Sequence, residues 1–402
     1  MPTGSNHSSP RRKRRWLGII ALWLLVIVAT LELGLRVFRP ALPPRLQEMV
    51  NIAVTGSPFA KPWDRAWIRN PDHYFILQPG LVNAPQYGTP RLKFHVSTNE
   101  LWPGGGVGFR NRPVDYFVDA VVLGDSFTFC FTERSDCWVT RLEADTGLGL
   151  VNLGLPVTGS HSHWLVLRDF GKFYQPPLVI WQFFGNDFND DYGLFIANGA
   201  LDPLDPPTHP PDDAAGADGE GSLRSWSALY AVLETIVTGR RNYDDPVAQG
   251  FEDRYVLTLP SGERLQFGQT YEPQAMDMER AANQAGLEIS RAAFSMAQDL
   301  IETWDGRLAV VIVPTREEVY EKHTAAAMGA ELERIASARL AMLALCAELD
   351  LLCYDALADL QGRAGANKLL YYEDDLHLNP LGNQVFAELM AGWLALQNLL
   401  PS

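Results

Sequence analysis

Positive charge is in short supply: 33 lysines and arginines face 48 aspartates and glutamates across 402 residues, a formal net charge of −15. That balance excludes the bulk of the chain from binding nucleic acid, because a phosphate backbone would repel it. Cysteine is scarcer still, with four in all. Cys130, Cys137, Cys346 and Cys353 form two close pairs, and neither has the tighter spacing of structural zinc ligands. The pairs suggest Cys130–Cys137 and Cys346–Cys353 as disulfides in an oxidising compartment, with four buried thiols as the alternative reading. Internal repeats are absent. A phosphate loop is absent too: Gly104-Gly105-Gly106-Val107-Gly108 lacks the Lys-Ser/Thr pair and has no apolar strand before it, so it reads as a flexible turn. Apolar residues, at 47% with 11% aromatics, suffice for a sizeable core and argue against disorder.

The N-terminus departs from this acidic background. Arg11 to Arg15 is a basic block, and an apolar run from Trp16 to Leu31 follows at once. Continued to Phe38, the run makes a helix of roughly 30–35 Å, enough to cross a bilayer's hydrocarbon core. Glu32 and Arg36, four apart near its far end, are placed to pair or to reach the headgroups. The positive-inside rule puts residues 1–15 in the cytoplasm, 16–38 in the membrane as a signal anchor, and the remainder outside. A cleaved signal peptide is the rival reading, against which stand the run's length and the lack of a small-x-small cleavage site.

Residues 39–114 read as a juxtamembrane, capping region of extended segments and loops, rich in proline and aromatics. From Asp115 apolar runs alternate with helical patterns. Strands are expected over 116–123, 148–153, 177–184, 308–313 and 351–354. Helices are expected over 138–146, 162–174, 223–238, 273–304, 330–349 and 380–396. Residues 255–259 and 264–267 flank Pro260-Ser261-Gly262-Glu263, a hairpin signal. Asp202–Ser222, with its Pro/Asp-rich stretch, is a surface insertion. This alternation implies an α/β fold with a parallel sheet over residues 115–402.

Serine is a poor nucleophile unless a base activates it and donors receive the oxyanion. Ser126 ends the run Val121-Val122-Leu123-Gly124-Asp125, where open α/β sheets present reactive groups. Three later segments supply partners. Asn152-Leu153-Gly154 and Gly185-Asn186-Asp187 each follow an apolar strand, and the Asn186 amide is a candidate oxyanion donor. Asp374-Asp375-Leu376-His377-Leu378-Asn379 offers an imidazole with carboxylates two and three residues before it, suited to fixing its tautomer. Asp187, Asp190 and Asp191 read as a solvated acidic face rather than a metal site. His161 and His163 read as solvated polar residues close to the second block. Arg316 is either an anion-binding group or a partner of Glu317 or Glu318.

In content and order these blocks resemble the SGNH/GDSL hydrolase superfamily. The anchor, the phrase Gly-Asp-Ser-Phe-Thr-Phe and the segment Ile312-Val313-Pro314-Thr315-Arg316-Glu317 resemble a membrane-anchored bacterial envelope branch, related to acyltransferases that acetylate alginate. The resemblance implies a flavodoxin-like three-layer α/β/α sandwich with a central parallel sheet, preceded by one N-terminal transmembrane helix. It makes Ser126 the nucleophile, His377 the base, and Asn186 with the Ser126 backbone N–H the oxyanion donors. Two departures stand out. Val157 occupies the place of a glycine that donates its N–H in the family, so Val157, or Gly154 or Gly159 in its stead, is the expected third donor. Asp374 fits the superfamily's Asp-x-x-His spacing and Asp375 the Asp-x-His spacing of the acetyltransferase-like branch, with Asp375 preferred. The implied function is a serine esterase acting on acyl, chiefly acetyl, esters outside the cytoplasm. An O-acyltransferase acting on an envelope glycan is the alternative, and a non-catalytic glycan-binding protein the second. No metal or organic cofactor is required.

Overall fold

The computed structural model describes residues 10–39, 42, 50, 53, 67–70, 73–87, 92–113, 117–197, 200–201, 226–238, 253–259, 261–365 and 369–400. The expected insertion 202–222 and the first nine residues of the basic tail lie outside the described residues. The chain divides into two units, Met1–Lys61 with Ala214–Asp245, and Pro62–Asp213 with Pro246–Ser402.

The first unit is built on the helix Pro10–Val37, whose apolar stretch Arg15–Val37 is 23 residues long. Its side chains from Trp16 to Leu31 are exposed. Glu32 and Arg36 do pair, at 2.6 Å. A second helix, Ala228–Thr238, starts against them. A helix is expected over 223–238, of which residues 223–225 lie outside the described residues.

The second unit begins with short antiparallel strands. β1 (Trp67–Asn70) pairs with β2 (Tyr74–Leu77), and β3 (Ala84–Tyr87) pairs with β4 (Lys93–Val96). β5 (Asn99–Glu100) and β6 (Gly108–Phe109) complete a four-stranded sheet in the order β1-β2-β6-β5. The glycine-rich turn between β5 and β6 closes on a carboxylate: the Gly104 and Gly106 N–H groups donate to Glu100 at 3.1 and 2.8 Å.

The larger sheet is parallel throughout. β7 (Ala120–Leu123), β8 (Leu150–Asn152), β9 (Leu178–Phe184), β12 (Arg307–Val313) and β13 (Leu352–Asp355) lie in the order β13-β12-β9-β7-β8. This is the flavodoxin-like order, with its topological switch between β7 and β9. Every side chain of β7 and β9 is buried, as expected where helices cover both faces. Trp138–Thr146 packs with Pro380–Leu396, while Ser160–Asp169, Asp187–Ala197 and Ala281–Glu302 pack together. β10 (Tyr255–Thr258) and β11 (Arg264–Phe267) form the expected hairpin.

Two helix expectations need correction. The helix expected over 273–304 is two, Tyr271–Met276 and Ala281–Glu302. Asn283 interrupts them by donating to the carbonyls of Gln274 (3.1 Å) and Asp277 (2.8 Å), and Ser337 accepts the Met278 N–H at 3.0 Å. The helix expected over 162–174 runs Ser160–Asp169, and Gly171–Tyr174 tightens to a 3₁₀ turn.

Candidate active site

Ser126 opens a four-residue helix, Ser126–Phe129, immediately beyond β7. The turn depends on Gly124, whose φ of +154° is disfavoured for other residues. A Cβ there would also sit 2.2 Å from Thr128 Oγ1 and 2.4 Å from Gln182 Oε1. Asp125 caps the helix by accepting the Phe127 N–H at 2.8 Å. Gln182 Oε1, from β9, accepts from the Asp125 N–H (3.2 Å) and the Thr128 hydroxyl (3.0 Å), tying the turn to the neighbouring strand.

His377 meets this turn from the segment before the final helix. Its Nε2 lies 2.8 Å from Ser126 Oγ, and its Nδ1 lies 2.5 Å from Asp375 Oδ1. Asp375 Oδ1 also accepts the His377 backbone N–H at 2.9 Å. Burial pushes the Asp375 carboxyl up, but the charge of His377, its two hydrogen bonds and the charge of Arg316 outweigh this and leave it below the ordinary value. Asp375 is the carboxylate on the imidazole. No described hydrogen bond joins Asp374 to His377. The ring packs against Phe131 (centroids 4.1 Å apart) and Phe127 (5.0 Å).

That aromatic wall is itself fixed. Arg110, buried beside β6, donates to the carbonyls of Phe129 (2.9 Å), Cys130 and Thr132, with its guanidinium over the Phe94 and Phe129 rings at 5.2 and 5.1 Å. Tyr372 donates to the Phe131 carbonyl at 3.0 Å, and Cys130 is disulfide-bonded to Cys137. Cys346 is bonded to Cys353. Neither Phe131 nor Arg110 stood out in the sequence, since their relation to His377 arises only when distant segments meet.

Two of the expected oxyanion donors have partners within the protein. The Gly154 N–H donates to Asn152 Oδ1 at 2.9 Å, within its own loop. Gly154 is required for close packing, because a Cβ there would lie 2.4 Å from the Phe129 nitrogen. Asn186 Nδ2 donates to Asp190 Oδ2 (3.0 Å) and to the Tyr271 hydroxyl (3.1 Å), so both of its N–H groups are engaged within the protein. Val157 takes the left-handed backbone after all, with φ +58°, and 52% of it is exposed. That conformation costs a β-branched residue about 1–2 kcal/mol.

His163 also corrects its reading. It is buried, 3.1 Å from Thr158 Oγ1, and burial pushes its pKa down to about 3, so it is a neutral core residue. Arg316 is fully buried and ion-paired with Glu317 (3.1 Å) and Asp253, which removes it from solvent and substrate. Glu318 pairs instead with Arg339.

The acidic face is buried, not solvated. Burial pushes Asp125 up to about 6 and Asp191 up to about 7. Asp187 is pushed well above the ordinary carboxylate value by burial and then by Asp125, Asp191 and Asp190. Asp191 accepts from the Ser290 hydroxyl at 2.8 Å and the His161 N–H at 2.9 Å. The folded chain therefore keeps protons that the unfolded chain has released above its ordinary carboxylate pKa. The stability these groups contribute is fully present below pH 3.8 and is lost as pH rises through about 7. Scanning calorimetry will show the wild-type melting temperature falling across that window. Asp191→Asn will flatten the slope by about one proton, roughly 1.4 kcal/mol per pH unit. An unchanged slope in the variant would contradict this assignment.

Residues 273–401 match the family model described as ALGX, SGNH hydrolase-like domain, acetyltransferase AlgX. The match contains Asp375 and His377 but not Ser126. The solved structure of an acetyl xylan esterase, AlAXEase, shares 11% identity, covering 69% of this chain and 98% of that one, with a TM-score of 0.35. LAE5, an alpha/beta hydrolase enzyme from the metagenome of Lake Arreo, Spain, shares 12%, covering 71% and 99%, with a TM-score of 0.37. The lipase/acylhydrolase from Enterococcus faecalis shares 12%, covering 69% and 96%, with a TM-score of 0.36. At such scores these likenesses carry no weight for function. Among curated proteins, none matches.

Proposed function

With an SGNH hydrolase-like fold as its scaffold, we propose that this chain is a membrane-anchored serine esterase that removes acyl groups, chiefly acetyl, from esters outside the cytoplasm. The observation that carries this reading is the chain of contacts from Asp375 through His377 to Ser126, at 2.5 and 2.8 Å. His377 Nε2 takes the Ser126 proton as Oγ attacks the ester carbonyl. The oxyanion is received by the Ser126 and Val157 backbone N–H groups. Asn186 joins them when it exchanges one of its present partners, Asp190 or Tyr271, for the oxyanion. Collapse of the tetrahedral adduct breaks the ester bond, and His377 returns the proton to the departing alcohol. The acyl-Ser126 ester is then attacked by water, which His377 deprotonates, and Ser126 and the free acid are released.

A second reading, transfer to a glycan hydroxyl, is favoured by the match of residues 273–401 to an acetyltransferase domain. Transfer uses the same acyl-enzyme and replaces water by the acceptor hydroxyl. The strained loop at Val157 keeps a third reading in view, a glycan-binding protein that performs no chemistry. In domain terms, 1–15 is read as a cytoplasmic tail, 16–38 as the anchor, 39–114 as a capping region and 115–402, with its insertion 202–222, as the hydrolase-like domain, although residues 214–245 group with the first unit. The two disulfides suit the oxidising side of a membrane.

The test supplies the purified full-length protein with a chromogenic acetyl ester, with and without acetyl-free envelope oligosaccharides. Esterase action gives one free acetate per alcohol released, whatever acceptor is present. Transfer diverts acetate into the oligosaccharide, seen by mass. Failure to release alcohol at all would overturn both and leave the binding reading.

A further inference from the structure

We propose that the helix Ala228–Thr238 is a second membrane contact, seated among lipids at the outer end of the N-terminal helix; the proposal rests on the reading of that helix as an anchor. Five observations within the first unit point to it. Glu32, in the last turns of the anchor, accepts the Ala228 and Leu229 N–H groups at 3.0 and 2.9 Å and the Ser227 hydroxyl at 2.8 Å. Arg36, paired with Glu32, donates to the Trp226 carbonyl at 2.5 Å. A carboxylate on the anchor thus caps the start of this helix and fixes it at the end of the apolar span.

One side of the helix is satisfied by protein: Ala228 and Val232 pack with Val50, Ala53, Leu35 and Leu42. The other side is not. Tyr230, Leu233 and Val237, spaced three and four residues apart, fall on one helical stripe and are exposed, as are Ile236 beside them and Trp226 just before the helix. A helix apolar on both sides is out of place in water, and such a patch marks an interaction surface. Leu33, Val37 and Phe38 of the anchor's outer end are likewise exposed, so the stripe continues the surface that the anchor gives to lipid. Tryptophan and tyrosine at this level are the residues that favour the headgroup boundary. Lipid is the one occupant that covers both apolar surfaces at once.

The chain has no free cysteine among its described residues, so introduced ones can be labelled singly. Leu25→Cys, Leu233→Cys and Val237→Cys, each carrying an environment-sensitive NBD label, are reconstituted as full-length protein in vesicles of phosphatidylethanolamine and phosphatidylglycerol. The expected result is deep-nitroxide quenching at residue 25. At 233 and 237 the emission shifts to the blue, and lipids bearing nitroxide near the headgroup quench it at least about twofold more than a water-soluble nitroxide. Quenching at 25 with water-like emission at 233 and 237 would overturn the proposal and leave the anchor standing. Blue-shifted emission there without lipid quenching would also overturn it, showing that protein covers the stripe. Water-like emission at 25 would defeat the anchor reading, and this proposal with it.

Discussion

Asp375→Asn will slow acylation of Ser126 by roughly 10⁴-fold, while Asp374→Asn leaves it nearly unchanged. The physical reason is tautomeric. Asp375 Oδ1 accepts from His377 Nδ1 at 2.5 Å, which leaves Nε2 as the acceptor facing Ser126 Oγ at 2.8 Å. An asparagine at 375 can present an N–H to Nδ1 and so favours the proton on Nε2, where it blocks removal of the serine proton. The geometry survives, so the melting temperature should stay close to wild type and only the chemistry should fail. Rapid-mixing measurements with a chromogenic acetyl ester separate the outcomes, because the loss falls in the acylation phase. If Asp374→Asn carried the large loss instead, the carboxylate assignment would be reversed.

Arg316→Leu will destabilise the fold by about 3–5 kcal/mol at neutral pH, the usual consequence of removing one member of a buried ion cluster. Arg316 is enclosed by Glu317 and Asp253, and burial has pushed Asp253 up to about 6 despite that partner. Glu272 is fully buried nearby, and its carboxyl is pushed well above the ordinary value by burial and by Glu317, with Arg316 pulling it back. Without the guanidinium these carboxyls must bind protons or draw in water. The deficit measured by urea unfolding should therefore shrink as pH falls toward 5, as Asp253 and Glu272 take up protons. A deficit independent of pH would mean that lost packing, not stranded charge, explains the change. Arg316 also helps hold Asp375 ionised, so a folded remnant of the variant should show a raised acidic limb in its pH–rate profile.

Legibility in the sequence followed how local each determinant is. The parallel strands were readable because β9 and β12 are long apolar runs closed by polar turns. The strands within 67–109 were not, since they are two to four residues long, too short to show an alternating pattern. The break at 277–280 carries no proline or glycine; it is imposed by Asn283 and Ser337. At the site, Ser126 and His377 could be singled out because each lies at the edge of a regular element, in a short motif. The choice between adjacent carboxylates depends on which one turns toward Nδ1, a matter of backbone path. Donor directions in the oxyanion loop were the least readable: Gly154 is claimed by Asn152, Asn186 by Asp190 and Tyr271. The left-handed turn at Val157 contradicts what valine alone would suggest.

The most direct test of an activated Ser126 is covalent capture. The full-length protein is exposed to a fluorophosphonate at neutral pH, and the modified residue is located by peptide mass spectrometry. The account predicts a single adduct on the peptide containing Ser126, abolished by Ser126→Ala and strongly slowed by His377→Ala. A folded wild-type protein that leaves Ser126 unmodified, under conditions that fully label a reference serine hydrolase, would contradict it.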